Sequence, residues 1–463
     1  MNIRKISIKE NLLKMIIPLV LFIISITIRL LLRKWFYANY DVTHYISEEG
    51  YYWETYLDAE TYYQYYLYAF KHENWLLYNP SSPYPLSGYV YGPLFIYFLT
   101  ILSYFVGIFF PNSTKLEIAW KTVVFAPQLF DSLSTVVIYY IIRTISKEKL
   151  EDRIISKMKI EIVAISNSII FIFMPVVLFY NNFLYLNSYM YTFYALLAFL
   201  FLIKEKFDLS AFWLAISIMT KQLSLFLLPL WFLYIFRINK KKAIKYGMFT
   251  FLIGAILSLP WIVLFPESFL VRMFLQGTPE LTSFSIEYRW ILWSTTPFHA
   301  FLYWGWDKAA LFYFKLNQKY IPFMLFNILS YFWIILTGKK LNENKSNLLT
   351  SQALFALGMH IFLSRGCYKY YDSFFIPFVI LALGGKALSI NRDWLKIIYL
   401  SSFSTWIFFL NLWIVIKIKW LHQFYVFLVF LTVLLLIDEE LFLYIFRKEA
   451  YTSIIKEIDF RKK

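Results

Sequence analysis

The sequence predicts an all-helical polytopic membrane protein, on three observations. Of its 463 residues 60% are hydrophobic and only 16% are charged, proportions that a soluble globular domain does not use. Apolar runs recur along the chain at about the length needed to cross a bilayer core. Lysine and arginine gather between those runs, at Arg4 to Lys14, Arg143 to Lys159, Lys204 to Lys206, Arg237 to Lys245, Lys339 to Lys345, Lys386 to Lys396 and Arg447 to Lys463. Such clusters mark the cytoplasmic side.

The first run, Ile16 to Leu32, has no small-residue cleavage site after it, so a retained helix is expected rather than a signal peptide. With every basic cluster inside, spans are predicted at 14–33, 119–143, 161–180, 188–203, 209–220, 222–236, 246–265, 319–336, 349–363, 373–389, 396–416 and 424–446. These make about 12 crossings and put both termini on the cytoplasmic side. Several fall short of the ~20 residues of a full crossing, which implies local thinning or re-entrance. The segments 209–220 and 222–236, parted at Lys221 and Gln222, read as a short hairpin.

Leu94 to Phe110 is apolar enough to span, but counting it would turn Lys147 to Lys159 outward and invert every later basic loop. It is therefore read as a helix in or dipping into the outer interface. The same count leaves 34–118 and 266–318 as long external segments, the second with Trp290 to Trp306 lying against the membrane. If both apolar stretches cross instead, the ends stay fixed and the middle of the chain flips. The chain 1–463 reads as a single integral membrane domain.

Several chemistries are excluded. One cysteine, Cys367, permits neither an internal disulfide nor a cysteine metal site. His44, His72, His299, His360 and His422 form no HExxH or other paired spacing, so no zinc site is expected. Gly-rich phosphate cradles and a GxSxG elbow are missing, which removes soluble-type nucleotide enzymes and serine hydrolases. The formal charge of +16 is accounted for by loop topology and anionic lipid heads, so no nucleic-acid partner is expected.

The residues suited to chemistry lie mostly in the long loops, and long ordered loops are usually functional. In YLDAETYYQYYLYAF, Asp58 and Glu60 would diverge by about 200° on a helix, so only one can face a substrate. Asp58 at a helix start also suits an N-cap, but a cap does not explain an acid-rich loop of Asp41, Glu48, Glu49, Glu54, Asp58, Glu60 and Glu73 at a membrane. Asp131, inside FAPQLFDSLSTVVIYYII, costs at least ~2.5 kcal/mol at that depth and must face the bundle and a partner. It reads as structural support, its plainest partner a hydroxyl or amide on a neighbouring helix. Lys221 and Gln222 interrupt SIMTKQLSLFLLP, where the lysine either meets a phosphate on the external side or snorkels. Arg272, Arg289, Arg365 and Lys369 add positive charge on that side, and the planar arginine fork suits a phosphate.

In their order these pieces resemble the membrane-embedded glycosyltransferases of the GT-C fold that use polyprenyl-phosphate sugars, most closely the GPI mannosyltransferase and dolichyl-phosphate-sugar-dependent branch. Asp58-Ala59-Glu60 matches the acidic motif of the first external loop, and Tyr91-Gly92-Pro93-Leu94 matches the opening of the interfacial helix. Asp131 in the second span, Pro175 in the third, Lys221 with Pro229, and the late loop Arg365 to Asp372 continue the pattern over roughly residues 10–390. The chain departs from some members in the loop after the third span. There NNFLYLNS offers Asn181, Asn182 and Asn187 but no second acid, which puts a two-carboxylate metal site in doubt.

The resemblance implies a GT-C-type bundle of about 12 transmembrane helices, with external loops carrying interfacial helices. It implies transfer of a hexose, mannose or glucose, from a polyprenyl-phosphate carrier, with inversion, to a lipid-linked glycan or other glycan acceptor. The active site would lie on the non-cytoplasmic face of a plasma or endoplasmic-reticulum-type membrane. Asp58 would be the base, and Glu60, Tyr62 and Tyr91 would orient the acceptor. Lys221, Arg365 and Lys369, with Arg272 and Arg289 behind them, would hold the donor phosphate; Asp131 and Gln222 would support. A divalent metal, Mg²⁺ or Mn²⁺, is left open, because Asp58 and Glu60 alone are too few ligands. The competing class is a multi-span transporter or lipid flippase, which the interruption at Lys221 suits but the absence of an internal repeat does not. A non-catalytic scaffold subunit would make Asp58 replaceable.

Overall fold

The computed structural model describes residues 2–39, 92–147, 154–270, 345–361, 371–389 and 393–416, with Met273, isolated positions between 305 and 336, and Leu428. Among the described residues every regular element is helical: α1 (Asn2–Asn39), α2 (Pro93–Phe109), α3 (Lys115–Lys147), α4 (Ile154–Ile172), α5 (Ser188–Ile203), α6 (Phe207–Thr220), α7 (Leu228–Ile238), α8 (Lys240–Leu264), α9 (Pro266–Leu270), α10 (Lys345–Ile361), α11 (Asp372–Ser389) and α12 (Asp393–Ile416). A π-helical turn, Val177–Phe183, follows α4, and a 3₁₀ turn, Gln222–Leu227, precedes α7.

Three described helices are long and apolar enough to cross a membrane: Met15–Asn39, Glu117–Ile145 and Lys240–Leu264. A fourth is added if Met158–Ile172 and Val177–Phe183, bent by 57° at their break, count as one span. Pro93–Phe109, Ser188–Ile203, Phe207–Thr220, Gln222–Ile238 and Leu400–Leu412 are apolar but shorter. At about 1.5 Å per residue such helices fall below a bilayer core of about 30 Å. The protein is thus helical and membrane-type, with fewer full-length spans among the described residues than the apolar runs predict. The predicted spans 319–336 and 424–446 fall mostly outside those residues. Helix α8 begins at Lys240, six residues before the apolar run, because Asn239 caps it by accepting from the Lys242 amide at 3.0 Å.

Helix α8 identifies the solvent. Its buried stripe is Ala243, Tyr246, Thr250, Gly254, Ser258 and Trp261, while Met248, Phe251, Ile256 and Val263 on the other faces are 60% to 78% exposed. Small and polar residues inward with large apolar residues outward is the reverse of a water-facing helix and what a lipid-facing helix requires. Helix α1 repeats it, with Ser25 and Arg29 fully buried and Leu19, Ile23 and Leu31 exposed. The centre is occupied by α5 and α11, most of whose residues are buried. Gly384 lets α11 approach: a Cβ there would meet the Asn167 Nδ2 of α4 at 2.3 Å and the Ile142 Cδ1 of α3 at 2.7 Å.

The bundle has two chemically distinct ends. At one, Arg143 of α3 meets Glu161 of α4 at 3.0 Å, and Lys204 after α5 lies 6.0 Å from the Tyr140 ring centroid. There too Lys345 of α10 reaches Glu205 at 3.9 Å and Lys245 of α8 reaches Asp208 of α6 at 2.8 Å. Basic clusters far apart in sequence therefore converge. The start of α6 and the start of α8 share this basic end, so α6 and α7 fold back on one another. At the opposite, polar end, the C-terminal turn of α1 meets the turn after α4 through Tyr37, whose hydroxyl donates to the Phe183 carbonyl at 2.6 Å. Trp120, early in α3, meets Tyr185 edge-on there, and the amide of Gly92 donates to the Thr220 carbonyl at 3.1 Å.

Helix α2 begins at this polar end and finishes in the turn that starts α3. That turn is closed by a reciprocal capping pair, Thr114 with Glu117, at 3.0 and 3.2 Å. Both ends of α2 therefore lie on the polar side of the bundle, and the helix does not carry the chain to the basic end.

A nitroxide scan of α8 checks the lipid-facing assignment in a Cys367→Ser background. A label at Phe251→Cys should collide freely with oxygen and little with a water-soluble nickel relaxant, whereas one at Thr250→Cys should be shielded from both. Strong nickel relaxation at position 251 would show that this face meets water.

Candidate functional site

One short turn organises the polar end. Pro175 follows α4, and its missing N–H and ring interrupt the α-helical ladder. The chain resumes as the π-helical turn, whose wider repeat adds a residue and brings Asn181 and Asn182 into the interior. Asn182 Nδ2 donates to the Val177 carbonyl at 3.1 Å, so the side chain satisfies a backbone group that the break would orphan. Leu184 and Leu186 then donate to the carbonyls of Phe179 and Tyr180, at 3.0 and 2.9 Å, and fold the turn shut. Tyr185 between them adopts φ 57°, a left-handed conformation uncommon for a tyrosine.

The turn's amides hold Asp131. Asn181 Nδ2 donates to both its oxygens at 3.2 and 3.3 Å, and Asn182 Nδ2 to Oδ2 at 2.8 Å. Arg29 of α1 adds the counter-charge at 3.4 Å; its Nε donates to Ser25 Oγ, and its guanidinium lies 5.4 Å from the Phe171 ring centroid. Arg29 and Asp131 are both buried, so the pair is formed out of water, where each charge needs the other. The partner of Asp131 is thus an arginine as well as the amides. Sequence reasoning missed Arg29, although a guanidinium within the apolar run Ile16 to Leu32 was the signal. The same contacts account for the absent second acid: a carboxylate at 181 or 182 would stand within hydrogen-bond distance of Asp131, where like charges repel.

Lys221 is the second buried cation. It sits between α6 and the 3₁₀ turn with extended backbone, φ −154° and ψ 130°, and is 4% exposed. Its Nζ donates to Asn187 Oδ1 at 2.9 Å and lies 4.5 Å from the Tyr371 ring centroid and 5.5 Å from that of Tyr191. The lysine neither snorkels nor tips an exposed hairpin, because the turn and the start of α11 close over it. Gln222 opens the 3₁₀ turn and is half-buried.

Two further contacts frame the lysine. Gly92 packs so tightly on the strand-like break that a Cβ would lie 1.8 Å from the Met219 carbonyl oxygen, which explains the glycine in Tyr91-Gly92-Pro93. Ser373 Oγ donates to Asn181 Oδ1 at 3.2 Å, joining α11 to the Asp131 network. Between Tyr371 and Ser373, Asp372 is fully buried as the first residue of α11, where the helix dipole favours an acid. It is a carboxylate of the polar end that the sequence reading did not single out.

Asp58, Glu60, Tyr62, Tyr91, Arg272, Arg289, Arg365 and Lys369 lie outside the described residues. The described residues show where their segments join the bundle. Segment 40–91 leaves after α1 and returns at Gly92. The stretch after α9 follows the end of α8, where Ser258 Oγ meets Met219 Sδ at 2.9 Å, and segment 362–370 returns at Tyr371. All three join at the polar end. No protein-family model matches the chain, and no curated protein matches it.

Breaking the buried pair has a signed consequence. Arg29→Met or Asp131→Leu alone should lower the thermal midpoint of the detergent-purified protein, each by the equivalent of about 3–5 kcal/mol, and the double variant should recover most of the loss. Independent, additive losses would mean that the two charges do not depend on each other. At the helix break, Gly92→Ala should cost about 1–3 kcal/mol by overpacking, while Gly107→Ala, with its nearest contact at 3.6 Å, should leave the midpoint within error.

Proposed function

We propose that this protein is an inverting, polyprenyl-phosphate-sugar-dependent hexosyltransferase with a GT-C-type bundle of about 12 crossings, its site facing the non-cytoplasmic side. The observation that carries the reading is the division of the bundle's ends. The segment with Asp58 and Glu60, and those with Arg272, Arg289, Arg365 and Lys369, all attach where the buried Lys221 lies, opposite the basic end. Segments that carry carboxylates and cations and attach at one end of the bundle suit a hydroxyl acceptor and an anionic leaving group.

In this mechanism Asp58 takes the proton of the acceptor hydroxyl as its oxygen bonds to the anomeric carbon. The bond from that carbon to the phosphate oxygen breaks, and the polyprenyl phosphate departs with the electron pair. The leaving group is already an anion, so it needs cations rather than an acid, and Lys221, Arg365 and Lys369 supply them. Glu60, Tyr62 and Tyr91 orient the acceptor. Asp131 is committed to Arg29, Asn181 and Asn182, so its part is to hold the turn that carries Asn187 and thereby Lys221.

A second reading, a transporter or lipid flippase, is favoured by one feature: two interrupted helices, at Val177–Phe183 and at Lys221, flank buried charge. Uptake and lipid scrambling by the protein in liposomes separate it from the enzyme reading. The direct test is transfer of label from radiolabelled polyprenyl-phosphate mannose or glucose in membranes, wild type against Asp58→Asn at matched expression. Loss by about 10²–10⁴-fold is expected for a general base. An active wild type that the substitution leaves unchanged would move the base elsewhere.

A further inference from the structure

We propose that Arg33 is a binding site for the phosphate ester of a lipid, on the flank of the same turn that holds Lys221. Arg33 follows Arg29 by one helical turn of α1, but its surroundings differ. Arg29 is buried against Asp131, whereas Arg33 is half-buried and, among the described residues, has no carboxylate within ion-pair distance. Its Nε donates to the Tyr185 hydroxyl at 2.7 Å, and its guanidinium carbon lies 5.5 and 5.6 Å from the ring centroids of Tyr185 and Tyr37. Those rings are stacked, 12° apart in plane. Tyr37 is fastened by its hydroxyl to the Phe183 carbonyl, and Trp120 meets Tyr185 edge-on.

The consequence is a guanidinium whose orientation is set before any ligand arrives. Occupation of Nε by Tyr185 leaves the two Nη groups, the side of the fork that matches a phosphate with paired hydrogen bonds. Tyr185 holds its hydroxyl there from a left-handed backbone, φ 57°, which costs on the order of 1–3 kcal/mol and persists because the closed turn over-determines it. The surroundings specify the rest of the ligand. Leu30 and Leu31 are exposed on the lipid-facing side of α1 just before Arg33, and Trp35 and Tyr37 are exposed just after it, the sequence of side chains at a hydrocarbon-to-headgroup boundary. An anionic head joined to an apolar tail fits that position, and Arg33 with Lys221 then brackets the turn with one outer and one inner cation.

The inference rests on the donor reading above only in its choice of first probe. The full-length protein in neutral maltoside detergent would be titrated with farnesyl phosphate and, separately, with phosphatidylglycerol, with farnesol as the uncharged control, and bound lipid counted by native mass spectrometry. Arg33→Gln should weaken phosphate-lipid binding by about tenfold or more without changing farnesol binding. Arg33→Lys should fall between, since an ammonium keeps the charge but loses the fork. Preference for farnesyl phosphate identifies a prenyl carrier and preference for phosphatidylglycerol a bilayer headgroup; both support the site.

Equal binding by wild type and Arg33→Gln overturns it, as does an equal loss in Lys34→Gln, which would show only general surface charge. If Arg33→Gln does not fold, Tyr185→Phe takes its place: it keeps every charge, removes the orienting hydroxyl and should weaken phosphate-lipid binding at an unchanged melting midpoint. Unchanged binding in that variant, when Arg33→Gln does not fold, likewise overturns the proposal. Intact sugar transfer without lipid-phosphate binding at Arg33 would sink this inference alone, and binding without transfer would sink only the enzyme reading.

Discussion

A carboxylate inside a membrane bundle has to be neutralised within the bundle, and Asp131 is where this protein meets that requirement. Water is not there to solvate the charge, so its partners must come from packed helices and must arrive together. Arg29 brings α1 to α3, and Asn181 and Asn182 bring the turn after α4 to the same two oxygens. Through Ser373 the start of α11 joins as well. The irregular turn is therefore not a loose connection, because the Asp131 network and its own backbone bonds determine its shape.

That turn distributes its side chains among three jobs. Its asparagines at 181 and 182 serve the buried acid, Tyr185 orients Arg33, and Asn187 receives Lys221. A single backbone feature, the π-helical turn after Pro175, sets the register of all of them. The break at Lys221 is held from the other side by Gly92, whose missing Cβ permits main-chain contact with residues 219 and 220. The returning end of segment 40–91 and the position of Lys221 are therefore mechanically joined.

Much of the framework was legible in sequence because lipid imposes a simple rule: apolar runs become helices, and basic residues collect between them. Helices appear at the apolar runs near 14–33, 119–143, 188–203 and 373–389, and Asp131 announced a buried partner by its residue type alone. Harder to read were pairings between helices remote in sequence. Arg29 lies 102 residues from Asp131 and Ser373 lies 192 from Asn181, separations over which no periodicity carries information. Lys221 looked like an exposed hairpin tip because a local window cannot reveal that Asn187 and Tyr371 close over it.

The sequence by itself determined the class of solvent, the helical character and the identity of the ionisable residues that need explanation, since these follow from composition and from the cost of burying charge. Only the tertiary structure decided which charges meet. It assigned the asparagines of NNFLYLNS to Asp131 and Lys221, and it oriented Arg33 by a tyrosine. The physical reason is that a hydrogen bond is fixed by direction and by a distance of about 3 Å. Those coordinates exist only once the turn has closed and the helices have packed.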